Sequence, residues 1–206
     1  MDPLTSAYYA SHAAECAARY DAADVLPLHE LLQSLAPAGS RVLEIGGGSG
    51  RDAAFLVHLG YDTTYTDGCE EMVREAVKRH PELATKARCA AFPLPDDHPL
   101  LLERYDMVLC AAVIMHLDDA SLERLAMQLV RMVADTGRLV LSHSRGHRCP
   151  ARNRDSCGRL FIERTPTSVN SVLRNGGFQP VELIENADGL GRDGITWATH
   201  VLQKTS

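Results

Sequence analysis

The chain has 206 residues, 45% of them hydrophobic, enough for one substantial core, so a single domain spanning 1–206 is expected. A formal net charge of -6 argues against a surface built to neutralise phosphate backbones, which leaves small molecules rather than nucleic acid as the expected partners. No apolar run approaches the roughly 18 to 20 residues that span a bilayer, and the start MDPLTSAYYASHAAE lacks the basic and apolar regions of a secretory signal. A cytoplasmic protein without membrane contact is therefore expected.

In chain order, YYASHAAECAARYDAAD has helical spacing with tyrosines at both ends, as in an amphipathic helix packed on a sheet. Strand-length runs follow: VLEI (42–45), DTTYTD (62–67), YDMVLCAA (105–112) and GRLVLSHS (137–144). Between them, 51–59, 70–79 and 121–134 carry helical spacing, with Leu122, Leu125, Ala126, Leu129 and Met132 on one face. This alternation predicts an α/β fold with a parallel sheet covered on both sides. FPLPDDHP (92–99) reads as a loop, and LRNGGF (173–178) as a helix stopped by glycine. VELIE (181–185) and ITWATHVLQ (195–203), joined by NADGLGRDG, predict an antiparallel pair closing the sheet. The six cysteines, Cys16, Cys69, Cys89, Cys110, Cys149 and Cys157, form no CxxC pair, so neither a metal knuckle nor a disulfide framework is indicated. Most are expected to be small core residues.

The stretch VLEIGGGSGRDAAFL (42–56) ends a first strand in an acid and a run of glycines before a helix. Glycines there let backbone amides approach a ligand, and a helix start favours an anionic group. The pattern E-x-G-x-G-x-G, Glu44 through Gly50, differs from the G-x-G-x-x-G of dinucleotide pyrophosphate loops. An acid ahead of the glycines repels a pyrophosphate and attracts a ligand with an amino group. The bland alternative is a tight turn. Asp67 ends the second strand about 20 residues on, where a carboxylate accepts from ribose hydroxyls, a role compatible with capping the helix that follows.

VLEIGGGSG, YTDGCEEM (65–72), RCAAFPLP (88–95), YDMVLCAAVIMHL (105–117) and GRLVLSHS occur in the order seen in class I S-adenosylmethionine-dependent methyltransferases, and the chain resembles that family, most of all its small bacterial members with a GRDAA helix start. The resemblance covers roughly residues 41–144, with the tail also fitting. It implies a Rossmann-like seven-stranded sheet, mostly parallel with an antiparallel last strand, and methyl transfer from S-adenosyl-L-methionine to a small acceptor with S-adenosyl-L-homocysteine as product. Gly46, Gly47, Gly48 and Gly50 would then lie against the methionine part of the cofactor and Glu44 near its ammonium group. Asp67 would hold the ribose, Gly68 and Met72 would border the adenine, and backbone groups at Ala90 and Ala91 would meet its edge. Many relatives carry Asp where this chain has Cys89, so adenine recognition here rests on backbone. Ala111 would lie near the sulfonium. Residues 1–36 would form a helical lid, with Tyr20 nearest the methionine carboxylate, excluding water from a direct displacement.

Methyl transfer depends mainly on alignment, so proximity supplies much of the acceleration, and a base is needed only for an acceptor that arrives protonated. His116, His143 and His147 lie near the carboxyl ends of the fourth and fifth strands, and His116 and His147 are the candidate catalytic residues. For His116 the alternative is a packing or capping role, and for His143 burial in the core. The segment 144–164 carries Arg145, Arg148, Arg152, Arg154, Arg159 and Arg164 in an otherwise acidic chain. Guanidinium groups bind carboxylate or phosphate at two points, so 145–164 reads as a substrate-side loop and Arg145 and Arg148 as ligands of an anionic acceptor. The alternative is a solvated loop whose arginines pair with acids such as Asp155 and Glu163. Cys149 and Cys157 would suit a soft metalloid, but their spacing matches no known ligand set and no metal is expected. A binding protein without turnover stays open as a second function. A nicotinamide-dependent oxidoreductase is a third, against which stand the glycine spacing and the lack of a catalytic tyrosine-lysine pair.

Overall fold

The computed structural model describes residues 2–147 and 153–205. A seven-stranded sheet forms its centre, with strands β1 (Arg41–Ile45), β2 (Asp62–Asp67), β3 (Ala87–Cys89), β4 (Tyr105–Ala111), β5 (Val133–Arg145), β6 (Phe178–Ala187) and β7 (Thr196–Lys204). Their order is β3-β2-β1-β4-β5-β7-β6. The first five run parallel, and β7 lies antiparallel between β5 and β6. The Rossmann-like sheet with its closing antiparallel pair is thus the one expected.

The apolar runs at β1 and β4 are buried on both faces, which is why they read as continuous rather than alternating. On one face Val42, Met107, Leu109 and Val140 pack with Leu32 and Leu56, from α2 (Leu26–Leu35) and α3 (Arg51–His58). On the other, Leu43, Val108, Leu139 and Leu141 meet Leu122, Leu125 and Leu129 of α5 (Asp119–Met132) and Val169 and Leu173 of α6 (Pro166–Asn175). The first helix, α1 (Pro3–Asp21), sits apart from the main core: its Ala13, Cys16 and Ala17 pack on Cys69 and on Met72 of α4 (Glu70–Arg79).

Two boundaries differ from expectation. Val133 leaves the helix and pairs with Tyr105, so β5 begins four residues before the expected Gly137 and the register then shifts between Tyr105 and Met107. Gly137 makes this possible, because a Cβ there would stand 2.9 Å from the Asp106 carbonyl oxygen and 3.0 Å from that of Tyr105. Likewise β6 starts at Phe178 and carries Pro180, tolerated on an edge strand where the register to β7 also shifts. Of the five described cysteines, Cys16, Cys69 and Cys110 are buried, while Cys89 and Cys157 are exposed.

Candidate cofactor and acceptor site

Strand order reverses between β1 and β4, and the loops leaving their carboxyl ends diverge there. A cavity of about 930 Å³ opens at that point, within the range that holds a nucleotide-sized ligand together with a small second molecule. Of the expected cofactor residues, Tyr20, Glu44, Gly46, Gly47, Gly48, Asp67, Gly68, Met72, Ala90, Ala91 and Ala111 line it. Gly50 does not. With φ +80° it starts α3, and its missing Cβ leaves room for Leu83 and Ala76 at 2.8 and 3.0 Å.

The glycine loop is held from several sides. Gly48 N–H donates to Asp67 Oδ2 at 3.0 Å, and the Tyr65 hydroxyl donates to the Gly48 carbonyl at 2.8 Å. The Tyr20 ring covers the same residue so closely that a Cβ on Gly48 would stand 3.0 Å from it. Asp67 Oδ1 accepts from Cys69 N–H at 2.8 Å, so each of its oxygens retains a lone pair for a ligand. Burial pushes its carboxyl up to about 6, although the backbone donors favour the ionised form. Ala90 N–H is taken by the Asp67 carbonyl at 2.8 Å, so the expected backbone contact to an adenine edge falls to the Ala90 carbonyl and to Ala91.

Glu44 lies under the loop, 2% exposed, and its Oε2 has no hydrogen-bond partner. Burial, reinforced by the nearby Asp52 carboxylate, raises its pKa well above the ordinary value. A buried acceptor without a donor is expensive, and a cation seated in the cavity would relieve it.

The start of α3 explains the GRDAA stretch. Arg51 donates to the Tyr20 carbonyl and to Asp52, and Asp52 Oδ1 is 2.8 Å from His29 Nε2, whose ring stacks on Phe55. Burial would raise Asp52, but the bonds from His29 and Arg51 outweigh it and hold the carboxyl below its usual range. One Arg-Asp pair thereby ties the end of α1 and the start of α2 to the glycine-loop helix.

His116 and His147 both line the cavity, whereas buried His143 points elsewhere, its Nε2 3.2 Å from that of His200. His147 Nε2 lies 2.9 Å from Ser144 Oγ and its ring rests on Phe161. His116 Nδ1 is 2.6 Å from the Leu160 carbonyl and its Nε2 3.0 Å from the Tyr9 hydroxyl. Burial pushes His116 down to about 4, so it is neutral near pH 7.

The arginines of 145–164 are engaged. Arg145 pairs with Glu185 and is not on the cavity wall, which departs from the expected role as an acceptor ligand. Arg148, Arg152 and Cys149 lie outside the described residues. Arg154 binds Asp2 at 2.6 and 2.9 Å, Arg159 binds Asp155 at 2.7 Å, and Arg164 donates to the Ile114 and Leu117 carbonyls and to Asp119. Glu163 takes Gly146 N–H instead of an arginine. Only Arg159 to Asp155 is the local pairing of the plainer expectation; Arg145, Arg154 and Arg164 bind acids 40 or more residues away in the chain. Arg159 alone of this loop's described arginines faces the cavity. Among the described residues no group of three His, Cys, Asp or Glu is arranged to hold a metal.

The far wall was not foreseen. Ser142 and Ser144 of β5 pair with Thr199 and Trp197 of β7, and all four border the cavity with Phe161 and Met115. Trp197 is the only tryptophan, and its indole N–H donates to Asp188 Oδ1 at 2.9 Å, itself fixed by Arg192. A lone Trp beside a predicted turn-rich loop was the available signal.

Residues 42–137 match the family model described as a methyltransferase domain. No curated protein matches the sequence. Among solved structures, a TehB-like S-adenosylmethionine-dependent methyltransferase from Corynebacterium glutamicum is 20% identical, with 99% of this chain and 100% of that chain covered and a TM-score of 0.65. The Burkholderia thailandensis 1,6-didemethyltoxoflavin-N1-methyltransferase, bound to 1,6-didemethyltoxoflavin and S-adenosylhomocysteine, is 21% identical over 88% of this chain and 78% of its own, with a TM-score of 0.67. The [4+2]-cyclase SpnF is 14% identical over 86% and 80%, with a TM-score of 0.64. Residues 42–137 are thus similar to a methyltransferase domain, and the chain has the fold of S-adenosylmethionine-dependent methyltransferases of known structure.

Proposed function

We propose that this chain binds S-adenosylmethionine along the glycine loop and transfers its methyl group to a small-molecule acceptor held against β5 and β7. The observation that carries the reading is Glu44: a buried carboxyl oxygen without a donor, beside a loop of bare backbone, suits the ammonium end of an amino-acid cofactor. The cofactor supplies an activated methyl on a sulfonium. The chain supplies position and dryness.

In this reading Asp67 accepts from the ribose hydroxyls, Gly68 and Met72 border the adenine, and Ala111 faces the reactive end. Residues 1–36 act as the lid, latched by Arg51 and Asp52, and Tyr20 closes over the glycine loop. Removing water from a charged sulfonium and fixing the acceptor in line supply the acceleration. The acceptor is a small molecule, as in the toxoflavin-type neighbour, and the paired state of the described arginines of the 145–164 loop favours one that is not strongly anionic. No described helix is long and apolar enough to cross a membrane. A second reading, binding without methyl transfer, draws on the cyclase neighbour, because one fold serves unrelated chemistries.

Calorimetric titration with S-adenosylmethionine and S-adenosylhomocysteine tests the first step. Saturable one-to-one binding that weakens in Glu44→Gln is expected. A folded protein that binds neither overturns the proposal. Binding with no S-adenosylhomocysteine released across a broad metabolite extract would favour the second reading.

A further inference from the structure

Three elements meet at one hydroxyl. Tyr9 comes from α1, His116 from the short helical turn Ile114–His116 after β4, and Arg159 from the loop after β5. Arg159 donates to Tyr9 Oη at 2.9 Å, and the Tyr20 hydroxyl donates to it at a longer 3.4 Å. The tautomer of His116 orders this network. Its Nδ1 faces the Leu160 carbonyl, which can only accept, so Nδ1 carries the proton and Nε2 is bare. Tyr9 must then donate its own proton to Nε2, and its oxygen lone pairs are directed at Arg159 and toward Tyr20. Edge contacts from Tyr9 and Phe161 hold the imidazole in place.

We propose, resting on the methyl-transfer reading above, that Tyr9 is a catalytic residue that receives the acceptor's proton and hands its own to His116, so that the acceptor is a hydroxyl or N–H group presented in protonated form. The acceptor's X–H displaces the weak Tyr20 bond and donates to Tyr9 Oη. As X forms its bond to the methyl carbon, the carbon–sulfur electron pair leaves with sulfur. The X–H proton moves to Tyr9 Oη while the Tyr9 proton moves to His116 Nε2. The products are X–CH3, a neutral thioether and an imidazolium, and the proton leaves His116 afterwards.

His116 has the character this step needs. Burial and the Arg159 cation keep it neutral, against the opposing pull of the Asp155 and Asp2 carboxylates, and Tyr9 is the group facing it from α1. A weak base suffices because the X–H proton becomes strongly acidic once X bonds to methyl. Arg159 also keeps Tyr9 polarised without consuming the lone pair nearest Tyr20. The lid helix thereby contributes chemistry as well as cover: α1 is fastened to the same loop by Arg154 to Asp2 and by Leu160 N–H to Thr5 Oγ1 at 2.8 Å.

Long-range imidazole nitrogen NMR on the full chain saturated with S-adenosylhomocysteine tests the arrangement. A neutral His116 with the proton on Nδ1 and an accepting Nε2 is expected near pH 7, and Tyr9→Phe should shift Nε2 to the resonance of an unbonded nitrogen while leaving Nδ1 unchanged. A proton on Nε2 overturns the proposal. S-adenosylhomocysteine affinity, measured alongside, should change less than about threefold in Tyr9→Phe, so loss of the relay is distinguishable from failure of the cofactor site. With a panel of phenols, kcat/KM of any substrate found should stay level as pH falls below the acceptor's own pKa. In Tyr9→Phe it should instead fall tenfold per pH unit, because only ionised acceptor then reacts. The same tenfold dependence in the unaltered protein would overturn the relay.

Discussion

Gly48 gives its backbone N–H to Asp67 Oδ2 at 3.0 Å, tying the loop after β1 to the end of β2 across 19 residues of chain. The acid proposed to hold the ribose therefore also shapes the cradle for the rest of the ligand, and the two sequence signals form one unit.

A pH dependence of binding follows from that bond. Asp67 titrates at about 6 in the free protein because it is buried. Ribose hydroxyls that donate to the ionised form lower its pKa in the complex, so binding releases a proton below that point. Affinity for S-adenosylhomocysteine should be level above about pH 7 and fall as pH drops through 6. Calorimetry across that range checks it, and Asp67→Asn should flatten the profile. An unchanged slope in the variant would assign the effect to another group.

Two substitutions separate the halves of the unit. Gly48→Val combines a φ of +57° with a Cβ 3.0 Å from the Tyr20 ring, so it strains the loop and lifts the lid residue together. Binding should be lost with the thermal unfolding cooperative. Asp67→Ala removes two charge-assisted bonds to backbone as well as those to ligand, and should weaken binding by about 1.5 to 3 kcal/mol. Both variants binding as tightly as the parent protein would reject the site.

Most of the glycine-loop wall of the cavity was legible because it is local: a strand, an acid and a glycine turn lie contiguous in sequence, and Asp67 ends the neighbouring strand. The sheet was legible for the same reason, since fully buried strands announce themselves as apolar runs. On the far side of the cavity His116 and His147 were legible from their places after the fourth and fifth strands, but Tyr9, Arg159 and Trp197 were not, because the fold brings them together from distant parts of the chain. Arg145 shows the limit most clearly: a count of arginines cannot say that Glu185, 40 residues later, will take its guanidinium. Gly50 shows another, since a glycine in a binding motif served packing against Leu83.

Arg19 offers a test of how the amino-acid end is bound. It sits in the last turn of α1 on the cavity wall, its guanidinium 5.4 Å from the Tyr20 ring centroid and near Cys16 Sγ, and it makes no ion pair among the described residues. A carboxylate at the cavity edge is its natural partner. Arg19→Ala should weaken S-adenosylhomocysteine by roughly 1 kcal/mol, the scale of an exposed pair, and leave 5′-methylthioadenosine unaffected because that ligand lacks the amino acid. Equal losses for both ligands would move Arg19 away from the carboxylate.

Outside the cavity, the buried pair His143 and His200 contributes to the acid sensitivity of the fold. Burial pushes each down to about 4, with His143 lowered further by its neighbour, while His200 Nδ1 is held 2.8 Å from Asn170 Oδ1. In the unfolded chain both titrate near 6.5, so between 6.5 and 4 the unfolded state binds more protons and stability falls as pH drops. Above that window these two groups contribute no slope. Each contributes at most about 1.4 kcal/mol per pH unit within it. Urea midpoints should therefore decline below about pH 6.5, and His143→Phe should reduce the steepest slope by roughly one histidine's share while leaving the neutral-pH plateau flat. His116 adds to the same window from the cavity side, while the raised carboxyls of buried Asp67 and Glu44 bind protons more readily in the folded state and offset part of the slope. An acid limb of undiminished steepness would trace the instability to the carboxylates at Asp2 and Asp188 instead, whose hydrogen bonds from Arg154 and Arg192 hold them low and are lost only at more acidic pH.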